Sequence, residues 1–184
     1  MLSKETFEKI YRDLDRVTPL DTDCGLLCGC ACCTGAYADG EEMGIFLLPG
    51  EEQLFSPEDD WLDWSEEDAG ELGFPDSWPE KVPFIHCKTP PTCPRERRPL
   101  QCRTFPLAPH LTASGELSLV YNDLDMPYRC PLIEEEIPLN DDFVEATLAA
   151  WRILIDDPAI RDMVREDSVD REQAALQLAE MLGF

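Results

Sequence analysis

The chain has 184 residues, which is enough to bury a hydrophobic core in one domain without metal or disulfide staples. It carries 39 acidic and 15 basic residues, so its formal net charge is −24. A charge of this sign and size argues against binding to nucleic acid phosphates or to an anionic membrane surface. It is typical of a solvated acidic surface, and the partner that it would suit is a basic protein.

The N-terminal segment predicts an amphipathic helix over residues 3–17. Ser3 is placed to cap it, and Phe7, Ile10 and Leu14 share one apolar face. The segment is charged throughout, unlike a signal peptide, and no stretch of the chain approaches the ~20 apolar residues of a transmembrane helix. We therefore expect a cytoplasmic protein, in a compartment where disulfides are disfavoured.

Nine cysteines dominate the chemistry of the chain, and five of them lie between residues 24 and 33. Clustered thiols make several thiolates available to one centre, and the thiolate is the form that binds metals and attacks electrophiles. An odd number of cysteines does not fit a complete disulfide framework. The pattern therefore indicates metal or redox chemistry.

The middle of the chain predicts short elements separated by irregular structure. An apolar run over 45–48 predicts a buried strand, and the acidic segment 51–80 contains the signals for a short helix over 57–64. Residues 75–109 hold nine of the sixteen prolines, which predicts a rigid irregular loop that could hold ligands in place. Residues 103–121 predict a hairpin.

The C-terminal segment predicts three helices. Asn140 is placed to cap the first, Asp157 and Pro158 to begin the second, and Ser168 to cap the third. Short helices are marginal alone, so they must pack on one another or on the cysteine-bearing half.

These patterns together predict an α+β fold that is irregular, loop-rich and organised by metal, with a small β-hairpin and helices at both ends. We expect one domain over 1–184. This domain consists of a cysteine-cluster metal-binding region over 20–135 and a C-terminal helical region over 140–184 that packs on it.

The cysteine spacing excludes several familiar metal motifs. Only Cys30 and Cys33 have the C-x2-C spacing of a zinc ribbon knuckle, and the repeated C-x2-C-x2-C run of ferredoxins is absent. A site built from both cysteine regions remains, and soft thiolates select zinc or iron, the latter as an iron–sulfur cluster, above magnesium or calcium. Which of the first-run thiols after Cys24 are ligands stays open, with Cys30 as the expected spare. The candidate ligands are Cys24, Cys28, Cys32, Cys33, Cys87, Cys93, Cys102 and Cys130.

Basic residues concentrate beside the second cysteine region. Residues 88–103 hold five of the fifteen basic residues and one acid. A four-thiolate zinc or iron–sulfur site is negatively charged and needs cationic or N–H partners around it, so we expect Arg98 and Arg103 to donate to sulfur or to a nearby carboxylate. The alternative is that these arginines pair with the acidic segment.

Two segments of the chain resemble the YkgJ-type cysteine-cluster family, which is described as zinc- or iron-chelating. They are CGLLCGCACC, from Cys24, and HCKTPPTCPRERRPLQCRTFP, from His86. The second follows the family's C…C…RP-x2-CR-x-[FY]-P pattern closely, whereas the first departs from it in spacing and in its extra Cys30. The resemblance covers roughly residues 20–135 and implies metal chelation by these cysteines.

The function expected from these observations is a metal-binding protein that holds zinc or an iron–sulfur cluster through clustered thiolates, with the metal ordering the proline-rich loop. Two alternatives stay open. One is an iron–sulfur-dependent protein-modifying enzyme, because flagellin lysine methylases carry a similar cysteine cluster. The other is a metal-free thiol redox protein that uses the adjacent Cys32 and Cys33.

Overall fold

The computed structural model describes residues 1–35, 44–122 and 126–183. This part of the chain combines helices with two small antiparallel sheets, which confirms the α+β class, the hairpin and the helices at both ends. The helices are α1 (Lys4–Leu14), α2 (Gly25–Cys28), α3 (Ala31–Thr34), α4 (Leu100–Thr104), α5 (Pro131–Glu134), α6 (Asp141–Leu154) and α7 (Pro158–Leu182). The strands are β1 (Ile45–Phe46), β2 (Leu62–Asp68), β3 (Lys81–Cys87), β4 (Leu107–Leu111) and β5 (Leu117–Tyr121).

Helix α1 forms where its periodicity predicts it. The hydroxyl of Ser3 accepts a hydrogen bond from the backbone N–H of Thr6 at 3.3 Å, which satisfies one free donor of the first turn. Its apolar face, with Phe7, Ile10 and Leu14, is buried. The predicted helix is confirmed, with its last turn ending at Leu14.

The first sheet has the strand order β1-β3-β2, with both pairs antiparallel. The helix predicted over 57–64 is wrong, because the acidic segment enters β2 at Leu62 and pairs along the whole of β3. Ser56 accepts from the backbone N–H of Glu58, and Asp59 accepts from that of Ser56, so the expected capping residues close a turn instead. The range predicted as an irregular loop, 75–109, also contains β3, a 3₁₀ turn over Arg95–Arg97, α4 and the start of β4.

The second sheet is the predicted hairpin. Leu107 pairs with Tyr121 and Leu111 with Leu117. Gly115 takes a φ of 84° in the turn, a conformation that glycine adopts without steric cost. The first arm begins later than expected because residues 100–104 form α4.

The C-terminal segment forms two long helices and no third. Asp157 caps α7 as predicted, and its carboxylate accepts from the backbone N–H of Ala159 at 3.0 Å. Ser168 caps nothing, because α7 runs through it without a break. Its buried hydroxyl donates to the carbonyl of Val164 at 2.6 Å and accepts from the backbone N–H of Leu111 at 2.8 Å, which ties α7 to β4.

One hydrophobic cluster joins the N-terminal helix, the cysteine-bearing half and the C-terminal helices. Its buried members lie on α1, β3, α4, β4, α6 and α7, and include Phe7, Val82, Leu100, Leu111, Trp151 and Ile160. A smaller cluster lies under the first sheet and consists of Leu47, Leu62 and Ile85. Across the described ranges, every helix is too short or too polar to cross a membrane.

Candidate metal centre

The first cysteine run folds back on itself through two very short helices. Gly29 and Cys30, between α2 and α3, both take left-handed backbone conformations, with φ of 65° and 61°. Glycine adopts this conformation freely, whereas a cysteine does so rarely. After the reversal, the adjacent residues Cys32 and Cys33 lie on α3 with their sulfurs 4.0 Å apart.

A second pair of thiols lies at the end of β3. Cys87 is the last residue of the strand, and its thiol donates a hydrogen bond to Cys93 in the loop that follows. This bond lowers the pKa of Cys93 and raises that of Cys87. The guanidinium Nε of Arg98 donates to the Cys93 sulfur at 3.3 Å and lowers its pKa further. Cys93 is therefore the thiol that this loop best prepares as a thiolate.

Cys102 lies on α4 and faces the other thiols. Its side chain has exposed surface, yet desolvation by the surrounding protein, followed by the charges of Cys33 and Cys93, raises its pKa to about 12. The Cys102 thiol therefore lies close enough to Cys33 and Cys93 for their charges to act on it.

Electrostatic coupling between the thiols connects all the cysteine regions of the chain. Cys33 is coupled to Cys93 and Cys102, and Cys24 is coupled to Cys28 and Cys130. Cys32 is coupled both to Cys24 and to Cys102, so it joins the two groups. All nine cysteines are free thiols in the described residues, and the fold gathers them from four separate segments.

The structure brings the eight predicted ligands into one region without arranging them as a finished coordination sphere. Among the residues described, no three or more His, Cys, Asp or Glu side chains are already placed around a common point as a bound metal requires. The spare thiol, Cys30, belongs to the same region. Its sulfur packs so closely on Gly25 that a Cβ at Gly25 would lie 2.6 Å from it. Desolvation, followed by the charges of Cys33, Asp23 and Cys28, raises the pKa of Cys30.

The two candidate arginines take different positions. Arg98 donates directly to sulfur, as described above for Cys93. Arg103 turns away from the thiols, and its Nε donates to the Arg98 carbonyl at 2.6 Å while an Nη donates to the Glu96 carbonyl at 2.6 Å. It also forms an ion pair with Asp15 and lies 4.0 Å from the centre of the Tyr11 ring. Arg103 therefore supports the loop that presents Arg98.

Pairing between arginine and the acidic segment also occurs, at a different arginine. Arg97 donates to both carboxylate oxygens of Asp59, at 2.8 and 2.5 Å. This bidentate bond fixes the 3₁₀ turn Arg95–Arg97 to the turn before β2. Of the two neighbouring arginines, Arg98 therefore binds a thiol and Arg97 binds the acidic segment.

Glu51 is an important residue at this site that sequence reasoning missed. Its carboxylate is fully buried and accepts from the Tyr11 hydroxyl at 2.5 Å and from the backbone N–H groups of Leu100 and Leu48 at 2.7 and 3.0 Å. It therefore anchors the first turn of α4, the helix that carries Cys102. Its position in a segment rich in acids gave no signal, because such segments are usually solvated.

No family model, no curated protein and no solved structure matches this chain. The resemblance to the YkgJ-type family accordingly stays a prediction, and it rests on the residues quoted for it.

Proposed function

We propose that this is a cytoplasmic metal-binding protein that holds zinc, or iron in an iron–sulfur cluster, through cysteine thiolates. The observation that carries the proposal is the gathering of nine free thiols from four separate segments into one electrostatically coupled region. Packing alone does not call for this many partly exposed thiols in one place. Unpaired thiols in such number also favour a reducing compartment.

The donor set fits these metals. Thiolate sulfur is the ligand that zinc and iron–sulfur clusters take, and bound metal would stabilise the thiolates that now repel one another. When bound, zinc would supply a structural cross-link, and an iron–sulfur cluster would supply electron-transfer chemistry. Arg98 offsets part of the negative charge through its hydrogen bond to Cys93.

The eight candidate ligands are enough for two sites of four thiolates each. Cys33 interacts with Cys87, whereas Cys32 interacts with Cys33, Cys102 and Cys24. Because Cys32 interacts with thiols of both groups, we propose the eight cysteines as ligands without dividing them between two sites. Cys30 remains the spare.

Elemental analysis of protein purified without oxygen tests the proposal. We expect one or two zinc atoms per chain, or several irons with acid-labile sulfide, together with protection of most thiols from a thiol reagent until a chelator is added. Protein with less than about 0.2 metal atoms per chain and nine freely reactive thiols would contradict it.

One observation favours a second candidate, a metal-free thiol redox protein. The sulfurs of Cys32 and Cys33 lie 4.0 Å apart, and the hydrogen bond from Cys32 lowers the pKa of Cys33. In this function the Cys33 thiolate attacks a disulfide of a partner, one partner thiol leaves, and Cys32 displaces the second, so two electrons pass to the partner and the pair is oxidised. Rapid reversible oxidation of two thiols in metal-free protein, abolished in Cys32→Ser, would favour it.

The remaining alternative, an iron–sulfur-dependent enzyme that modifies a basic protein, stays a prediction. The same iron count is its first test, because a zinc-only protein excludes it.

A further inference from the structure

A largely apolar cavity lies against α4, which contributes Gln101 and Thr104 to its lining. Its volume is about 260 Å³, and it opens between the first sheet, the hairpin and helices α4, α6 and α7. Its floor consists of buried or half-buried apolar side chains, among them Phe46, Leu48, Leu107, Trp151 and Met163. At its mouth Leu72 is 47% exposed. An apolar hollow with an exposed leucine at its edge is suited to an apolar side chain from outside.

The charge at the cavity mouth is mainly negative. The ionisable lining residues are Glu166, Asp167, Asp170 and Arg171, all on α7. Asp170 lies three residues after Asp167 and four after Glu166, so it neighbours both on the helix surface, and all three are exposed. Arg171 is already engaged, since its guanidinium contacts the carbonyl of Pro109 at 3.4 Å.

The surroundings of Asp167 disfavour its negative charge, and a cation beside it would offset that effect. Desolvation raises the pKa of Asp167, and the negative charges of Asp170 and Glu166 raise it further against the opposing effect of Arg171. An added positive charge at this rim lowers the energy of all three carboxylates, whereas phosphate groups would be repelled. The net charge of −24 draws basic molecules toward the surface over a longer range.

We propose that this cavity is the docking site of a basic amphipathic segment of a partner protein. An apolar side chain of the segment enters the cavity, and a neighbouring lysine or arginine lies against Asp167 and Asp170. The shape selects the apolar side chain and the rim selects the positive charge beside it, so neither a purely apolar nor a purely charged ligand satisfies the site. The inference does not depend on the metal, because none of the lining residues is a cysteine.

Calorimetric titration of a capped peptide, KLKALKALK, tests the proposal on the full chain as purified. We expect saturable binding with one site per chain, and at least fivefold weaker binding for peptides with the leucines changed to serine or the lysines to glutamine. The double variant Asp167→Asn/Asp170→Asn should weaken binding about five- to tenfold, as expected for two charge pairs at an exposed rim.

A matched variant separates the site from the general charge. Glu58 and Asp60 are exposed, lie outside the cavity and carry the same total charge, so Glu58→Gln/Asp60→Asn should change binding less than twofold. Filling the cavity with Ala108→Leu should also weaken binding, with the circular dichroism spectrum checking that the variant folds.

Three results would overturn the inference. The first is no binding at millimolar peptide. The second is equal weakening by the two double variants, which would indicate attraction by net charge alone. The third is binding of butylamine as tight as that of the peptide, which would indicate a small-amine site instead.

Discussion

Cys102 is the residue at which the proposed metal site can be tested most directly. It lies on α4, is exposed and interacts electrostatically with Cys33 and Cys93. We predict that Cys102→Ser lowers the metal content by about one ion or one cluster per chain, because a hydroxyl does not replace a thiolate as a ligand for these metals.

The matched control is Cys30→Ser. It removes a thiol of the same region that is not among the eight proposed ligands. It should keep the full metal content, measured by elemental analysis on protein purified in the same way. Equal loss in both variants, or full metal in Cys102→Ser, would contradict the assignment.

Glu51 makes a residue-scale prediction about pH. Burial raises its pKa above the ordinary 4.5, although three donors oppose the shift. A carboxyl with a raised pKa in the folded state binds its proton more tightly there than in the unfolded chain, so it stabilises the fold most below pH 4.5. As the pH rises from 4.5 through the raised pKa, this contribution is lost.

We therefore expect the free energy of unfolding of the native chain, relative to that of Glu51→Gln, to fall as the pH rises above 4.5. Urea unfolding of both proteins at matched metal content measures the difference. Glu52→Gln provides the control, since Glu52 follows Glu51 in the chain and its carboxyl is only partly buried. A flat difference for Glu51→Gln itself would show that the buried carboxyl keeps its ordinary titration.

At the scale of elements, Arg103 links α1, α4 and the loop that presents Arg98. Its side chain is only 4% exposed and donates to the carbonyls of Arg98 and Glu96 while pairing with Asp15. A lysine cannot reproduce this planar set of donors. We predict that Arg103→Lys lowers the free energy of unfolding by about 1–3 kcal/mol and also lowers the metal content.

The control for Arg103→Lys is Arg95→Lys, because Arg95 is an exposed arginine of the same segment. It should change the free energy of unfolding by less than about 0.5 kcal/mol. Denaturant unfolding and elemental analysis of the two variants decide between a supporting role for Arg103 and a general need for positive charge. Similar behaviour of both variants would exclude the supporting role.

The elements that the sequence predicted well are those whose signals are local. The apolar face of α1 and the capping carboxylate of Asp157 act within one or two helical turns, and both hold in the structure. The helix expected over 57–64 failed because its capping signals are equally satisfied by a turn, while pairing with β3 depends on residues some 20 positions away. Ser168 failed for the same reason, since its partner is Leu111 on β4.

At the scale of the whole molecule, the candidate site could be predicted as a set of residues but not as an arrangement. The sequence proposed eight candidate ligands from the cysteine pattern and Arg98 from the basic segment beside Cys93. It did not tell which thiols of the first run face Cys87 and Cys93, because that depends on how β3, α4 and the short helices α2 and α3 meet. Nor did it indicate Glu51, whose role as an anchor for α4 appears only when Tyr11 and Leu100 are packed around it.

The core also bears on what metal removal should do. The main hydrophobic cluster draws on α1, α6 and α7 and contains no cysteine. Under the proposed function, removal of the metal would leave the short helices α2 and α3 without a cross-link, and helices of four residues do not persist alone. We therefore predict that chelation loosens residues 24–33 and 87–102 while α6 and α7 stay folded.

Hydrogen exchange measured with and without a chelator distinguishes the regions. Backbone amides of the two cysteine segments should lose protection, whereas those of α6 and α7 should keep it, and most of the far-ultraviolet helical signal should remain. Complete loss of that signal would mean that the metal organises the whole fold, so that the cysteine-free core cannot hold the long helices by itself. Unchanged protection of the amides in residues 24–33 would instead show that metal does not stabilise that segment.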